Sequence, residues 1–375
     1  MSKPAAIKRL VAHVFRWPVA TPVRTSFGTM RDRPMVLVEA VDEEGISGWG
    51  EVWCNFPSVG AEHRARLVSS GFAPSVVGRV VEDPAALFRS LTEASAVLAI
   101  QAGEPGPVAQ CIAGIDMALW DLAARRAGQP MWKYLGGSNP TVAVYASGLN
   151  PDEPEKLAAL KREEGYSAFK LKVGFGRERD LANLRALRAT LGSGARLMID
   201  ANQGWSFEEA VAIQEALAEF NLGWIEEPLR ADTPLAQWKQ LAAVSRAPLA
   251  AGENMAGHAQ FDAAIASRAF AVLQPDAAKW GGFSGCLPVA RRITAAGLRY
   301  CPHFLGGGIG LLASAHLLAA AGGDGMLEID ANPNPLRSEI CGPLANIREG
   351  HATLGDAPGL GIVPDLAMLR GLAAA

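Results

Sequence analysis

From about residue 141 onward the chain repeats one pattern: a short apolar, β-prone run, then a longer segment with apolar residues three and four apart. The runs are VAVYASG (142–148), AFKLKV (168–173), RLMIDA (196–201), LGWIEEP (222–228), PLAAGE (248–253), AVLQPD (271–276), LRYCPH (298–303) and MLEID (326–330). The helical segments between them include 154–165, 206–220 and 283–297, and Ser206 followed by Glu209 predicts a capping box. Strand–helix alternation of this extent predicts a parallel sheet with helical crossovers, and eight strands favour a closed barrel over an open sheet. The segment GFGRER after Lys172 and Val173 puts Arg179 where a dinucleotide fingerprint needs its third glycine. Upstream the texture differs. MVLVEAVDEEGISGWGEV (35–52) predicts a hairpin around the turn Asp42–Gly45, and residues 61 to 135 are helical in pattern.

Strands of a parallel barrel are buried on both sides and should be apolar, so ionisable residues in them need a reason. Lys170, Lys172, Asp200, Glu226, Glu253, Asp276, His303 and Glu328 all fall at or near strand carboxyl ends, the rim where such barrels carry their chemistry. From Asp200 the successive separations are 26, 27, 23, 27 and 25 residues, about one strand plus one helix each. Each residue alone admits a plain structural role, as a helix cap, a turn former or a solvated strand end. In phase on consecutive strands they converge on one mouth.

Asp200, Glu226 and Glu253 form an oxygen-only set with no Cys or paired His beside it, which suits Mg²⁺ rather than a softer metal. Lys170 and Lys172 flank the set on one side, and His303 with Asp276 on the other. An ammonium beside a second cation and a divalent ion loses its proton more readily, so Lys172 is expected to act as a neutral base. Asp276 would orient His303 for proton transfer from the opposite side. Two such groups facing each other across a carboxylate suggest removal of the proton α to it, with the metal holding the enediolate.

Composition narrows the partners. A formal net charge of −3, with no basic run interleaved with aromatics, argues against a nucleic-acid surface. The apolar stretch 309–321 is too short to span a bilayer and carries His316, expected as a satisfied core histidine. The N-terminus shows no signal-peptide core, and five scattered cysteines without CxxC spacing predict reduced thiols and a cytoplasmic protein.

In order and spacing, TPVRTSFGT (21–29), GWGEV (48–52), GIDMALWDL (114–122), KYLGG (133–137), FKLKVG, IDANQGW, WIEEP, AGEN, QPDAAKWGG, CPHF and LEID resemble the enolase superfamily, and within it the mandelate racemase-like group. The resemblance covers nearly the whole chain. It implies a modified TIM barrel, (β/α)7β, over 133–345, an α+β capping domain over 1–132 whose segments 21–29 and 48–52 supply strands and a mobile loop, and a C-terminal segment 346–375 returning to the cap. It implies Asp200, Glu226 and Glu253 as Mg²⁺ ligands, Lys172 as one base, Lys170 as the charge neutralising the substrate carboxylate, and the His303–Asp276 dyad on the other face. Glu328 would hydrogen-bond or protonate the carboxylate, and Asn202 would contact substrate or metal-bound water. A homo-oligomer is also implied. Muconate-cycloisomerase and dipeptide-epimerase relatives have a lysine at the position of Asp276, so the resemblance argues against those activities.

Dehydratase and racemase share this machinery, and the capping loops decide between them. Arg24, Thr25, Ser26, Arg31 and Arg33 are expected in the first loop, and Trp53, Asn55 and Phe56 in the second. Of these Arg24, Arg31, Trp53 and Asn55 are the candidate substrate contacts. A polar, basic lining fits an acid sugar or hydroxy-dicarboxylate, so dehydration of such an acid is the favoured reading. Racemisation of a 2-hydroxy acid is the alternative, and a catalytically silent Mg²⁺- or carboxylate-binding protein a third. Lys279 is expected in a structural ion pair, and the glycine-rich GGGIG (306–310) admits a phosphorylated substrate.

Overall fold

The computed structural model describes residues 5–25 and 28–374. Strands β1 (Ile7–Thr25) and β2 (Gly28–Asp42) pair antiparallel from Ile7 opposite Asp42 to Thr25 opposite Gly28, and β3 (Ser47–Val52) adds to β2. At the β2–β3 turn the Asp42 carboxylate accepts from the amides of Glu44 and Ile46 at 2.9 and 3.0 Å, closing the turn as an Asx motif. Of the segment 21–29, expected to join in the capping-domain strands and mobile loop, residues 21–25 and 28–29 are strand. Helices α1 (Pro84–Ala102) and α2 (Pro105–Arg126) follow, α1 starting on the side chain of Asp83 and ending at Gly103 with φ +67°. β3 lies directly on α2. A Cβ at Gly48 would stand 2.1 Å from the Ala118 carbonyl oxygen, and one at Gly50 2.0 Å from that of Gly114. The alternate glycines of GWG are therefore the condition for strand and helix to touch.

Eight strands then run in the predicted places: β4 (Thr141–Leu149), β5 (Ala168–Lys172), β6 (Arg196–Asp200), β7 (Ile225–Glu226), β8 (Leu249–Ala251), β9 (Val272–Leu273), β10 (Arg299–Tyr300) and β11 (Met326–Asp330). Neighbours pair in parallel in chain order, and β11 pairs back onto β4 with Met326 opposite Ala143. β10 and β11 share no ladder; the Met326 amide donates to Cys301 Sγ at 3.3 Å instead, leaving the barrel nearly closed. Helices α3 (Pro154–Glu163), α4 (Arg177–Leu191), α5 (Phe207–Ala212), α6 (Leu235–Val244), α7 (His258–Ser267), α8 (Gly282–Ala295) and α9 (Gly308–Ala321) form the crossovers, giving (β/α)7β. The capping box of Ser206 and Glu209 is present, though α5 breaks at Ala212 rather than running to 220. After the barrel, β12 (His351–Thr353) pairs antiparallel with β4, and α10 (Leu366–Ala374) packs on β1.

The barrel interior is layered. Tyr145, Ala168, Met198, Trp224, Ala250, Val272, Cys301 and Met326 form one buried apolar plug, with a residue from, or next to, each of the eight strands. The intervening residues, such as Phe169, Leu171, Ile199 and Leu273, belong to the larger core under the helices. Side chains two apart on a strand share a face. Two residues toward the carboxyl end, the plug therefore becomes a polar layer: Ala168 leads to Lys170, Met198 to Asp200, Trp224 to Glu226, Val272 to Gln274, Cys301 to His303 and Met326 to Glu328. His316 on α9 is neutral core, as expected: it accepts from the Trp132 amide at 2.9 Å, and burial lowers its pKa to about 3. The five cysteines are buried and unpaired, and among the described residues no helix is long and apolar enough to cross a membrane.

Two amides of the GGGIG segment are already committed to a carboxylate of the protein itself. Gly307 and Gly310, at the start of α9, donate to the buried Glu51 of β3 at 2.5 and 2.8 Å, so the capping sheet supplies its own anion to this helix N-terminus. Burial raises Glu51 to about 7 against its amide hydrogen bonds. Because the folded protein holds that proton more tightly than the unfolded chain, the resulting stability is fully present below about pH 4.5 and is lost as pH rises through 7. Denaturant unfolding should show the stability difference between Glu51→Gln and wild type moving in the variant's favour across this window, by up to about 1.4 kcal/mol per pH unit. A pH-independent difference would rule out this titration.

Candidate active site

The register of the parallel strands brings the polar layer together: Lys172 lies opposite Asp200 and Asp200 opposite Glu226. Glu328 sits on β11, while Asp276 and His303 follow β9 and β10 by three residues. Glu253 is out of phase with the alternation. It reaches the mouth because β8 is followed by Gly252, whose φ of +142° and 2.6 Å approach of a Cβ to the Gln274 nitrogen exclude any larger residue.

Most charges in this layer are buried, with Lys172, Glu253 and Lys279 half-buried, and each lysine and the histidine closes on a carboxylate. Lys170 Nζ lies 2.5 Å from Glu226, 2.7 Å from Glu328 and 3.9 Å from Asp200, with the Tyr145 ring centroid at 5.4 Å. Lys172 Nζ donates to Asp200 at 2.6 Å and to Asn202 Oδ1 at 2.8 Å. Trp224 Nε1 and Gln274 Nε2 complete the shell of Glu226, at 3.0 and 2.6 Å. His303 lies between two carboxylates, Nδ1 2.7 Å from Asp276 and Nε2 2.6 Å from Glu253. The second Glu253 oxygen is 3.1 Å from Lys279 Nζ, which also lies 5.0 Å from the Trp53 ring centroid. Glu328 further accepts from Ser147 Oγ at 2.5 Å and from the Phe304 amide at 3.1 Å.

Protonation states follow from these contacts. Burial alone would lower His303, but Glu253, Glu328 and the Asp276 hydrogen bond hold its pKa well above the ordinary value, so it stands as imidazolium. Burial would likewise lower Lys172, yet Asp200 outweighs both that and the repulsion from Lys170, and its pKa is raised. The expected neutral base is therefore an ammonium in this arrangement, because a carboxylate touches it directly. Burial would raise Glu328, but Lys170 and His303 lower it below its ordinary value, so it is a carboxylate and an acceptor rather than a proton donor. Burial raises Glu226 to about 7 and its neighbour Glu227 to about 8.

The remaining expected contacts are placed as follows. Asn202 joins the cluster, its amide bonded to Asp200 and Lys172. Trp53 is half-buried beside Lys279, and Asn55 is buried with Nδ2 committed to the Leu305 carbonyl at 2.6 Å. Arg31 is exposed on β2. Arg33 is not in a loop but buried, 3.0 Å from Asp330, with Arg337 on the same carboxylate at 3.2 Å. The side chains of Arg24 and Thr25, and all of Ser26, lie outside the described residues. Lys279 is in the ion pair expected of it, but its partner is a site carboxylate. Sequence reasoning passed over Glu227, whose carboxylate is held by Asn254 at 3.0 Å, and Ser147 and Gln274; the second Glu of WIEEP and the Gln of QPD were the available signals.

Among the described residues no three His, Cys, Asp or Glu side chains are arranged to hold a metal ion. The donor chemistry nevertheless fits a hard divalent cation. Six carboxylates (Asp200, Glu226, Glu227, Glu253, Asp276 and Glu328) face three lysines and one histidine, a surplus of two negative charges. Asp200, Glu226 and Glu253 could take such an ion by exchanging their contacts to Lys172, Lys170 and His303. Replacing Lys170 by Ala would leave Glu226 and Glu328 buried against each other and should cost about 3–5 kcal/mol in urea unfolding. Lys172→Ala should cost under half as much, since the Lys172 side chain is 16% exposed where that of Lys170 is 0%. Equal losses would contradict the buried role of Lys170.

Residues 7–136 match the N-terminal domain of mandelate racemase / muconate lactonizing enzyme, and residues 153–368 match the enolase C-terminal domain-like family. The chain is 33% identical over 358 residues to L-talarate/galactarate dehydratase of Salmonella typhimurium, covering 92% of this chain and 85% of that protein. Among solved structures, a mandelate racemase/muconate lactonizing enzyme from Bordetella bronchiseptica RB50 is 57% identical with a TM-score of 0.94, covering 98% of this chain and 99% of that one. A racemase from Streptomyces coelicolor with bound magnesium is 28% identical with a TM-score of 0.86, covering 98% and 99%. Other relatives include cycloisomerases and epimerases. With its capping sheet, its (β/α)7β barrel and these matches over nearly its whole length, the chain belongs to the enolase superfamily, in the mandelate racemase-like group.

Proposed function

We propose that the protein is a Mg²⁺-dependent hydro-lyase that removes the proton α to the carboxylate of an acid sugar or hydroxy-dicarboxylate and expels the β-hydroxyl. The observation that carries this is the placement of His303, with Nδ1 2.7 Å from Asp276 and Nε2 2.6 Å from Glu253, at the same mouth as Lys172. A fixed, protonated acid is what a departing hydroxyl needs. Asp200, Glu226 and Glu253 would hold Mg²⁺, whose charge favours the second negative charge that develops on the substrate carboxylate as the α-proton leaves. Lys172, the more exposed of the two strand lysines, would release its ammonium proton to solvent once Asp200 turns to the cation, and the neutral amine takes the α-proton at Nζ. Lys170 stays buried against Glu328, whose charge it compensates. His303 Nε2 gives its proton to the β-hydroxyl, and water leaves. Asp276 retains its bond to Nδ1 and so keeps Nε2 directed at the mouth. Support for an acid-sugar substrate comes from the relatives, which include L-talarate/galactarate, arabinonate and D-galactonate dehydratases.

Racemisation of a 2-hydroxy acid is the second reading, because Lys172 and His303 project from well-separated strands and can equally exchange a proton on one carbon. Incubation of a panel of sugar acids and hydroxy acids with Mg²⁺ in D₂O separates the readings. A semicarbazide-reactive 2-keto-3-deoxy acid is expected. Deuterium at the α-carbon with loss of optical rotation and no keto acid would make the protein a racemase. No exchange with any acid, despite Mg²⁺ binding, would leave a silent binding protein. Lys172→Ala and His303→Asn should each lower dehydration about 10²–10⁴-fold, and turnover that survives either change would remove that residue from the mechanism.

A further inference from the structure

The loops carrying His303 and Asp276 are both tied to one short segment of the capping domain, residues 51–55. Glu51 accepts from the amides of Gly307 and Gly310 at 2.5 and 2.8 Å, and Asn55 Nδ2 donates to the Leu305 carbonyl at 2.6 Å. These three bonds span the stretch that begins two residues after His303. That stretch has no slack. A Cβ at Gly310 would stand 2.3 Å from the Phe304 ring, one at Gly307 2.2 Å from Met35 Sδ, and the Phe304 amide is held by Glu328. On the Asp276 side, the Trp53 amide donates to the Ala278 carbonyl at 3.3 Å, while the Ala278 amide donates to the Asp276 carboxylate at 2.8 Å. Among the described residues, the hydrogen bonds to the Glu51 side chain come from backbone amides of this loop and none from a cationic side chain.

We propose that Glu51 and Asn55 are positioning residues, through which the capping domain fixes the His303–Asp276 dyad for proton delivery while leaving the Lys172 side to the barrel alone. The inference rests on the dehydratase reading for its chemical consequence, though not for its geometry. Lys172 and Asp200 are held by β5 and β6 and by Asn202, none of which touches residues 51–55 through any bond described above. Loosening the clamp should therefore act on one half of the reaction. Lys172 would still remove the α-proton and return a deuteron from solvent. Loss of the β-hydroxyl with the His303 proton would fail, because Nε2 would no longer be held in reach.

The test compares wild type, Glu51→Gln and Asn55→Ala. The Gln side chain keeps the shape but offers one carbonyl to two amides; the Ala removes the bond to Leu305. With Mg²⁺ and a turned-over sugar acid in D₂O, the ratio of elimination to α-hydrogen exchange should fall about 10–100-fold in each variant, as expected when a reacting group is displaced by about 1 Å. Ring ¹H–¹⁵N spectra of His303 without metal or substrate should also lose the signature of a fixed Nδ1–H bond to Asp276. Elimination and exchange falling in parallel, with His303 signals as in wild type, would overturn the proposal and leave the clamp merely structural. If wild type itself turns over no acid, the dehydratase reading fails, and the His303 spectra alone decide whether the clamp positions the ring. Asn55→Ala carries the test if Glu51→Gln does not fold.

Discussion

Burial of charge above an apolar plug is the constraint on which this molecule depends. The plug of Tyr145, Met198, Trp224 and their neighbours closes the barrel to water from below. The layer above it must then satisfy its own charges. It does so by pairing: Lys170 with Glu226 and Glu328, Lys172 with Asp200, and His303 and Lys279 with Glu253. The pairing falls short by two positive charges, and the shortfall is met here by carboxyl groups whose pKa values rise toward neutrality. A cluster built this way is poorly suited to be only structural, since well-packed apolar residues would serve stability as well.

Much of this was legible in the chain because two simple periods carry it. Alternation along each strand sends Lys170, Lys172, Asp200, Glu226 and Glu328 to the interior, and the strand–helix repeat of about 25 residues returns them to one ring. Residues outside those periods were harder to read. Glu253 enters through the backbone turn at Gly252, a matter of φ that no hydropathy pattern encodes. Arg33 belongs to Asp330 and Glu51 to Gly307 and Gly310, partners more than two hundred residues away that only the docking of cap on barrel brings together. The protonation of Lys172 likewise depends on whether Asp200 touches it, which spacing alone does not determine.

The two lysines of FKLKVG show how a spacing of two separates roles rather than duplicating them. Lys170, one step nearer the plug, is wholly enclosed and serves as fixed positive charge. Lys172, one step nearer solvent, is partly exposed. The same gradient separates Trp224, part of the plug and bonded to Glu226, from Trp53, which lies at the rim. Depth in the barrel thus separates enclosed charges from those at the rim, where Trp53 of the capping domain lies beside Lys279.

The central claim is that the closed ion pairs are the resting form of a cation site made by Asp200, Glu226 and Glu253. Anomalous diffraction from crystals grown with Mn²⁺ tests it most directly. The account predicts one strong peak about 2 Å from an oxygen of each of the three carboxylates, with Lys172, Lys170 and His303 no longer bonded to them. A structure in which those three pairs stay closed at saturating Mn²⁺, with the peak elsewhere or absent, would contradict it.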